Sequence, residues 1–265
     1  NGESPMPVIA ATSPTDCFDA AFMAAKIALE HLTPVVLLTD AFIANGSSAW
    51  LLPDINNLPK IHPHYVTEEQ KYKYTPYQRD SKTQVRYWAH PGQEGYTHIL
   101  GGLEKDGETG AISTEPENHD RMDRLRFEKV AKIPVPDVEV QGDKDDADLL
   151  IVGFGSTYGH LYTAMEELRH EGYKVALAQF KYVNPLPHNT AKVLTQYKKV
   201  VVAEQNLGQF AALLRIRIND FSPYQYNQVK GQPFNVSELV CGFKKIINSK
   251  DEHRAGSTFE ERVIF

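Results

Sequence analysis

Short apolar runs alternate with helix-like amphipathic stretches through the last part of the chain. Continuous apolar runs predict buried parallel strands at 148–152, 174–180 and 199–204. Apolar residues at helical spacing predict helices at 158–171, 187–197 and 207–219, and Gly172 stands where a helix C-cap is expected. This alternation indicates an α/β fold, in which a parallel sheet carries helices on its faces and has right-handed crossovers.

The chain opens on a shorter pattern of the same kind. Residues 6–11 predict a strand, and Ser13 as N-cap with Asp16 in the first turn predicts the start of a helix. This helix, at 17–31, carries apolar residues on nearly every turn and is expected to be well buried. The apolar run 34–40 predicts a parallel strand covered on both faces. Because a parallel sheet needs further strands beside these two, we expect only part of a doubly wound domain here.

A region rich in proline, histidine, tyrosine and charge separates these two patterns. It predicts short strands at 85–89 and 97–100, and an amphipathic helix at about 114–132. The region is too long for a simple loop, so we expect it to pack as a connecting excursion that ends at Pro134 and Pro136. The predicted organisation is a partial α/β domain at 1–60, a connector at 61–136 and a second parallel-sheet α/β domain at 137–265.

Composition narrows the function classes. The formal net charge is −6 and the pI is near 5.9, which argues against a nucleic-acid-binding protein with a basic field. No apolar run approaches the roughly 20 residues needed to cross a bilayer. The first residues also lack the pattern of a secretory signal. These features favour a cytoplasmic protein that binds neither nucleic acid nor membrane.

The two cysteines, Cys17 and Cys241, limit the cofactors that the chain could hold alone. Neither belongs to a CxxC motif, and an iron–sulfur cluster normally takes four thiolates. Each lies in an apolar, helix-like stretch, so we expect two buried side chains that behave as small hydrophobes. No HxxxH or HExxH motif falls on a predicted helix, so the sequence predicts no metal site.

A glycine-rich turn after the first strand of the last region is a candidate functional site. It runs from Gly153 to Gly159 and includes Gly155, Ser156 and Thr157. A GxG turn between a strand and a helix can present backbone amides to a phosphate. The spacing here is GxGxxxG rather than GxGxxG, and the second strand does not end in a ribose-binding acid. We therefore favour a tight turn that needs glycine for its geometry over a dinucleotide site.

A polar rim at the end of the third strand is the other candidate. Glu204 ends that strand, and Asn206 and Gln209 follow at the start of the next helix. The carboxyl ends of parallel strands are where open α/β sheets carry functional residues. As a catalytic acid, Glu204 would need a partner group that the sequence does not identify. We favour the interpretation that Glu204 caps the helix or pairs across a subunit interface.

Several stretches, in order along the chain, resemble alpha subunits of the 2-oxoacid:ferredoxin oxidoreductases, and the 2-oxoglutarate type in particular. They are Asn1-Gly2-Glu3-Ser4-Pro5 with Pro7-Val8-Ile9-Ala10 and Ser13-Pro14-Thr15-Asp16-Cys17-Phe18-Asp19; Thr39-Asp40-Ala41-Phe42-Ile43-Ala44; the segment 97–104 with Pro116-Glu117-Asn118-His119; and the segments 181–187 and 204–209. Each stretch alone is weak, but the combination is specific and extends through nearly the whole chain.

The resemblance implies an enzyme that uses thiamine diphosphate and Mg²⁺ to decarboxylate a 2-oxoacid oxidatively. It also implies that an acyl-CoA forms and that an iron–sulfur cluster passes electrons to ferredoxin. In this family the alpha chain supplies a pyrimidine-binding domain, and the beta subunit carries the diphosphate–Mg²⁺ site and the cluster. By this likeness, 1–60 is the end of the pyrimidine-binding domain and 137–265 is similar to the C-terminal domain of transketolase. A dimer of alpha chains is a further expectation.

The resemblance gives no catalytic residue within this chain. The family's substrate-contacting segment and the glutamate that activates thiamine correspond to positions upstream, and Asn1, Gly2 and Glu3 are expected near the substrate. We therefore expect the chain alone to be inactive and to hold no cofactor by itself. Two alternatives stay open: a free nucleotide-binding α/β module built on 153–159, and the C-terminal part of a transketolase- or dehydrogenase-type thiamine enzyme.

Overall fold

The computed structural model describes residues 3–249 and the backbone of a short strand at 263–264. Contacts within the chain divide it into two units. Among the described residues, the first unit contains 3–9, 19–37 and 50–134, and the second contains 10–18, 38–49 and the chain from 135 onward. The chain therefore contributes two early segments to the second unit before it reaches that unit's main part.

The regular elements of the first half of the chain are short strands and three helices of unequal length. They are β1 (Val8–Ala10), α1 (Asp16–His31), β2 (Val36–Leu38), α2 (Ala41–Ala44) and α3 (Pro116–Ala131). The predicted start of α1 is confirmed, because Ser13 Oγ accepts a hydrogen bond from Asp16 N at 3.1 Å. The helix expected at 114–132 is confirmed as α3.

Other predictions for this half are wrong. Of the residues of α1, Ala20 and Ile27 are the buried ones, and Leu38 of β2 keeps 37% of its surface exposed. The apolar side chains of these elements therefore lack the covering layers expected of a buried helix and a central strand. The stretch 85–89 forms isolated bridges rather than a strand, and 97–100 forms neither. Closely spaced turns in this proline-rich region leave too few consecutive residues for a ladder.

The second half of the chain alternates strands and helices. In chain order they are β3 (Val140–Gly142), β4 (Leu149–Phe154), α4 (Tyr158–His170), β5 (Val175–Phe180), β6 (Tyr182–Asn184), α5 (Thr190–Thr195), β7 (Val200–Glu204), α6 (Gln209–Arg217), β8 (Tyr224–Asn227), α7 (Val236–Ile247) and β9 (Val263–Ile264). The predicted elements are confirmed as β4, α4, β5, α5, β7 and α6. Gly172 follows α4 with a φ of +92°, as a C-cap glycine does. The sequence pattern does not predict β3, β6, β8, α7 or β9.

A largely parallel sheet forms the centre of the second unit, so the predicted α/β class is confirmed. Its strand order is β3-β5-β4-β7-β8-β9. Every neighbouring pair is parallel except β3 and β5. Leu149 and Ile151 of β4 belong to an apolar core with α4 and α7, whereas Leu150 and Val152 belong to a core with α5 and α6. Both faces of β4 are therefore covered, as its continuous apolar run requires.

The helices of the described residues show no candidate for a transmembrane span, since none is both long enough and apolar enough.

A buried lysine holds the end of α1 within the first unit. Lys129 of α3 is only 9% exposed, and its Nζ donates to Leu32 O at 2.8 Å. Leu32 has a φ of +46°, the left-handed conformation in which helices commonly end. The ammonium thus binds the carbonyl end of α1, where the helix dipole favours a cation. Burial, followed by the charges of Arg79, Arg86 and Arg126, lowers the pKa of Lys129 to about 8.

Replacing Lys129 by methionine should change how stability depends on pH. The pKa of this lysine is about 8 in the folded chain and 10.5 as an ordinary lysine, so between these values the unfolded state binds more protons. The free energy of unfolding should therefore rise with pH across this window, by up to about 3 kcal/mol more for the native chain than for Lys129→Met. Urea unfolding at several pH values within the window measures both slopes.

The matched control for this experiment is Lys132→Met, since Lys132 is a partly exposed lysine one turn further along, paired with Glu128. It should keep the native slope. Equal slopes for the native chain and Lys129→Met would show that Lys129 does not titrate as assigned.

Candidate functional site

Two candidate segments follow neighbouring strands at the carboxyl edge of the sheet. Gly155, Ser156 and Thr157 come directly after β4, and Glu204 ends β7. β4 and β7 are neighbours in the sheet. After β4 the chain continues to β5 on one side of this pair, and after β7 it continues to β8 on the other side, so it leaves β4 and β7 in opposite directions. Open α/β sheets bind ligands at such a switch point. The topology therefore brings the glycine-rich turn and the polar rim to one edge.

The glycine-rich turn is closed by an early segment of the same unit. Gly155 has a φ of +62°, which favours glycine. A Cβ at this position would lie 3.6 Å from Ala10 Cβ and 3.8 Å from Ala11 O. Ser156 and Thr157 are buried. Ala10 and Ala11 thus lie against the turn. They occupy the place that a phosphate facing the start of α4 would need. The structure favours the tight turn over a dinucleotide site.

Ser156 links this turn to the short helix α2. Its Oγ donates to Asp40 Oδ2. The other oxygen of Asp40 accepts hydrogen bonds from Phe42 N at 3.0 Å and from Ile43 N at 3.2 Å, which caps the start of α2. Ser156 is therefore a positioning residue in this arrangement, because its hydroxyl holds the carboxylate that begins α2.

The carboxyl end of β5 is covered in a similar way. Lys181, which follows β5, forms an ion pair with Asp16, and Lys181 O accepts a hydrogen bond from Ala10 N at 2.8 Å. Gln179 Nε2 of β5 donates to Gly155 O at 2.9 Å. These contacts tie the early segment 10–18 to the ends of β4 and β5, so this half of the edge is a packed polar layer.

Glu204 is fully buried and caps the helix that follows it. Glu204 Oε2 accepts a hydrogen bond from Phe210 N at 2.8 Å, and Oε1 accepts one from Ala211 N at 3.0 Å. Both donors are at the start of α6, where backbone N–H groups have no partner within the helix. Of the interpretations open to Glu204, the contacts match helix capping, and both carboxylate oxygens are occupied.

Asn206 and Gln209 complete the polar rim. Asn206 Oδ1 accepts hydrogen bonds from Gly208 N at 2.9 Å and from Gln209 N at 2.8 Å. Gly208 has a φ of +94°, and a Cβ there would lie 2.3 Å from Gln225 Oε1. Only glycine therefore fits this turn, whereas the side chain of Gln209 is exposed to solvent.

An open cavity of about 560 Å³ lies beside this rim, at the carboxyl end of β8. Leu207 and Val229, which are 69% and 66% exposed, contribute apolar surface. Asn227 is buried in its wall, and its Nδ2 donates to Gln225 Oε1 at 3.2 Å. This cavity therefore opens at the carboxyl end of β8, next to the helix start that Glu204 caps.

The cysteines are not both buried, contrary to expectation. Cys17 is half-buried, and Cys241 is exposed on α7 and lines the cavity at β8; neither forms a disulfide. The helical period explains Cys241, because it places this residue on the same face as Glu238 and Lys245. The neighbouring Phe243 turns instead into the apolar core.

A second cavity, also of about 560 Å³, lies in the first unit and is lined by Glu3. His119 Nδ1 is 2.9 Å from Glu104 Oε2, and His119 Nε2 is 3.5 Å from Asp123 Oδ2. Arg126 pairs with both of these acids. The hydrogen bond to Glu104, followed by the charge of Asp123, raises the pKa of His119. This charged network was not singled out from the sequence, although Glu104 and His119 lie in the stretches that carry the family resemblance.

Asn1 and Gly2 lie outside the described residues. Within the described part of the chain, no group of three histidine, cysteine, aspartate or glutamate side chains is arranged to hold a metal ion. The candidate residues thus fall into a closed turn, a capping rim and a charged cavity that includes Glu3.

Family models match most of the chain. Residues 2–119 match the thiamine diphosphate-binding model of pyruvate flavodoxin/ferredoxin oxidoreductases, and residues 147–239 match core domain II of pyruvate:ferredoxin oxidoreductase. The fold and these matches define a class: α/β chains of oxidoreductases that bind thiamine diphosphate and work with ferredoxin or flavodoxin.

Similar proteins narrow this class. The chain is 48% identical to the 2-oxoglutarate oxidoreductase subunit KorA of Mycobacterium tuberculosis over 90% of its own length and 36% of that protein. It is 29% identical to the alpha subunit of 2-oxoacid:ferredoxin oxidoreductase 2 of Aeropyrum pernix, over 95% of the chain and 40% of that subunit. The solved 2-oxoglutarate:ferredoxin oxidoreductase of Magnetococcus marinus superposes with a TM-score of 0.84 at 29% identity, over 94% of this chain and 43% of that one.

The chain belongs to the 2-oxoacid:ferredoxin oxidoreductase family, and it resembles the alpha, or KorA, subunits of that family. It spans about 40% of the length of the relatives named above.

Glu204→Gln should lower the free energy of unfolding by about 2 kcal/mol, because the new NH₂ group would face one of the two buried N–H donors of α6. Urea denaturation measures the change. Glu167→Gln, on the exposed face of α4, is the matched control and should stay within about 0.5 kcal/mol of the native chain. If the two variants were equally stable, Glu204 would not be the cap that the hydrogen bonds indicate.

Proposed function

We propose that this chain forms part of the alpha subunit of a 2-oxoglutarate:ferredoxin oxidoreductase, which converts a 2-oxoacid and CoA to an acyl-CoA, CO₂ and reduced ferredoxin. The observation that carries the proposal is the 48% identity to the KorA subunit across 90% of the chain. The Magnetococcus marinus enzyme gives further support, because its structure is described with 2-oxoglutarate, coenzyme A and succinyl-CoA bound.

Thiamine diphosphate is the cofactor of the proposed reaction, and it supplies an electron sink for decarboxylation when bound. Its diphosphate–Mg²⁺ end does not fit the described residues alone. The turn after β4 is closed by Ala10 and Ala11, and no metal-holding group occurs among residues 3–249. We therefore propose that the beta subunit holds Mg²⁺, the diphosphate and the iron–sulfur cluster. This chain then contributes a scaffold whose carboxyl edge is fixed by Glu204 and Ser156.

We propose that Asn1, Gly2 and Glu3 lie near the active site of the assembled enzyme. The charged cavity lined by Glu3, which includes His119 and Arg126, supports this proposal. The glycine-rich turn and the polar rim act in this proposal as positioning segments, and their hydrogen bonds support that role. Their residues are Gly155, Ser156, Thr157, Glu204, Asn206 and Gln209.

The division into 1–60, 61–136 and 137–265 stays a prediction. The proposed enzyme is cytoplasmic and consists of alpha and beta subunits, with ferredoxin and CoA as its reaction partners. A dimer of the alpha chain is part of the proposal. The C-terminal part of a transketolase- or dehydrogenase-type thiamine enzyme is the remaining alternative, and the names of the similar subunits favour the ferredoxin type.

The proposal is tested by expressing this chain, and the full-length protein that carries it, each together with a family beta subunit. The readouts are the thiamine content of each purified complex and its reduction of a viologen dye. Dye reduction is measured with CoA and either 2-oxoglutarate or pyruvate. We expect dye reduction from the full-length complex, faster with 2-oxoglutarate than with pyruvate, and none from the complex that contains only this chain and the beta subunit.

The comparison of 2-oxoglutarate with pyruvate tests the substrate assignment separately from the family reaction. Faster reduction with pyruvate would overturn the 2-oxoglutarate assignment but keep the family reaction. A full-length complex without thiamine and without dye reduction would overturn the proposed function itself. Binding of AMP or NAD by this chain would instead favour a nucleotide-binding module, against the closed turn at Gly155.

A further inference from the structure

The open cavity at the carboxyl end of β8 is called the β8 cavity below. Its walls come from β8 and the chain that follows it, from the loop before α6 and from one face of α7, all within the second unit. Its volume of about 560 Å³ is in the range of cavities that hold small organic molecules. The residues proposed for the enzyme reaction leave this cavity unassigned.

Tyr226 reaches the β8 cavity across a glycine of α7. A Cβ on Gly242 would lie 2.7 Å from Cε2 of the Tyr226 ring, so glycine is what allows the ring to lie directly on the helix. Glu238 and Lys245 are the i−4 and i+3 neighbours of Gly242 on the helix surface. All four residues line the cavity. The phenol and the two charged side chains therefore meet in one place.

The hydroxyl of Tyr226 is an unused hydrogen-bond donor. Tyr226 is only 6% exposed, and its ring packs against Phe234 and Phe243 with centroids 5.7 and 5.8 Å away. Within residues 3–249 its Oη has no hydrogen-bond partner. Oη is also not one of the fully enclosed polar atoms that lack a partner, so it is open to the cavity. Buried tyrosines usually bond their hydroxyl, and here a ligand is free to accept it.

The hydroxyl stays protonated at neutral pH. Burial, followed by the neighbouring Glu238 and Cys241, raises the pKa of Tyr226. The group therefore acts as a donor toward a ligand acceptor and does not add a negative charge to the cavity.

The charged residues around the β8 cavity leave one cation unpaired. Lys230 Nζ lies 3.7 Å from Glu238 Oε2, so these two charges offset each other. Lys245 is exposed and forms no ion pair with any acid within residues 3–249. These three are the charged side chains of the lining, so the cavity carries one net positive charge. It favours a ligand with a single negative charge.

The remaining walls favour a ligand that is largely apolar. Leu207 and Val229 line the cavity and keep about two thirds of their surface exposed. Covering such side chains removes apolar surface from water, which stabilises a complex. An inorganic anion would leave both side chains uncovered. The unused donor, the single cation and the apolar walls together point to one class of ligand.

We propose that the β8 cavity binds a small organic monocarboxylate with an apolar body. Its carboxylate accepts hydrogen bonds from Tyr226 Oη and Lys245 Nζ, and its apolar part covers Leu207 and Val229. This site does not depend on the proposed enzyme reaction.

Calorimetric titration of the full chain with hexanoate tests the proposal. Acetate, hexan-1-ol and hexylamine are titrated in parallel at matched ionic strength. We expect hexanoate to bind and each of the others to bind at least about tenfold more weakly. Acetate lacks the apolar body, hexan-1-ol lacks the charge, and hexylamine carries the opposite charge.

Two variants locate the bound carboxylate. Tyr226→Phe keeps the ring packing and removes only the hydroxyl, so it should weaken hexanoate binding by about tenfold through loss of a charge-assisted hydrogen bond. Lys245→Gln should weaken binding by about threefold or more, because it removes the unpaired charge. Lys192→Gln, at an exposed lysine of α5, is the matched control and should bind hexanoate as the native chain does.

The proposal is overturned if hexanoate does not bind, if hexan-1-ol or acetate binds as tightly, or if Tyr226→Phe keeps the native affinity. Tighter binding of hexylamine would overturn it as well, because Glu238 would then select a cation. Circular dichroism checks that Tyr226→Phe is folded. If it is not, the exposed variant Lys245→Gln decides, and an unchanged affinity there overturns the proposal equally.

Discussion

The covering of β4 on both faces is the constraint on which the second unit depends. Leu149, Leu150, Ile151 and Val152 are fully buried, and they alternate between the two apolar cores. Burial of each such side chain is worth roughly 1.5–3 kcal/mol. A strand of this kind requires helices on both sides and parallel neighbours, so the strand order and the position of the carboxyl edge follow from it. The polar groups at that edge are then held by the ends of buried strands.

The polar residues at the carboxyl edge stabilise the fold, although from the sequence alone they resemble catalytic residues. Glu204 ends a parallel strand, as catalytic carboxylates often do, yet both of its oxygens accept N–H groups of α6. Ser156 follows a glycine-rich turn, yet its hydroxyl is bonded to Asp40. The residue types are the same in both situations. What separates them is whether the polar atoms already have partners, which only the three-dimensional contacts reveal.

Much of the second unit was predictable from the sequence, because its buried strands are continuous apolar runs. β8 was not, because it alternates tyrosine with Gln225 and Asn227, whose amides hydrogen-bond to each other inside the protein. The start of α7 could have been predicted from Asn235. Its side chain caps the helix by accepting a hydrogen bond from Glu238 N at 3.2 Å. The contact between Ala10 and Gly155 could not be predicted, because the two residues lie far apart in sequence.

The division of the chain between its two units has a consequence for folding. The segments 10–18 and 38–49 belong to the second unit, although its main part begins only at 135. During synthesis these segments leave the ribosome before β4 and β5, so Ala10 cannot contact Lys181, nor Asp40 contact Ser156, until those strands have been made. Contacts over such separations close slowly. No single cut in the chain would release the second unit whole, so the order of synthesis and the order of assembly differ in this protein.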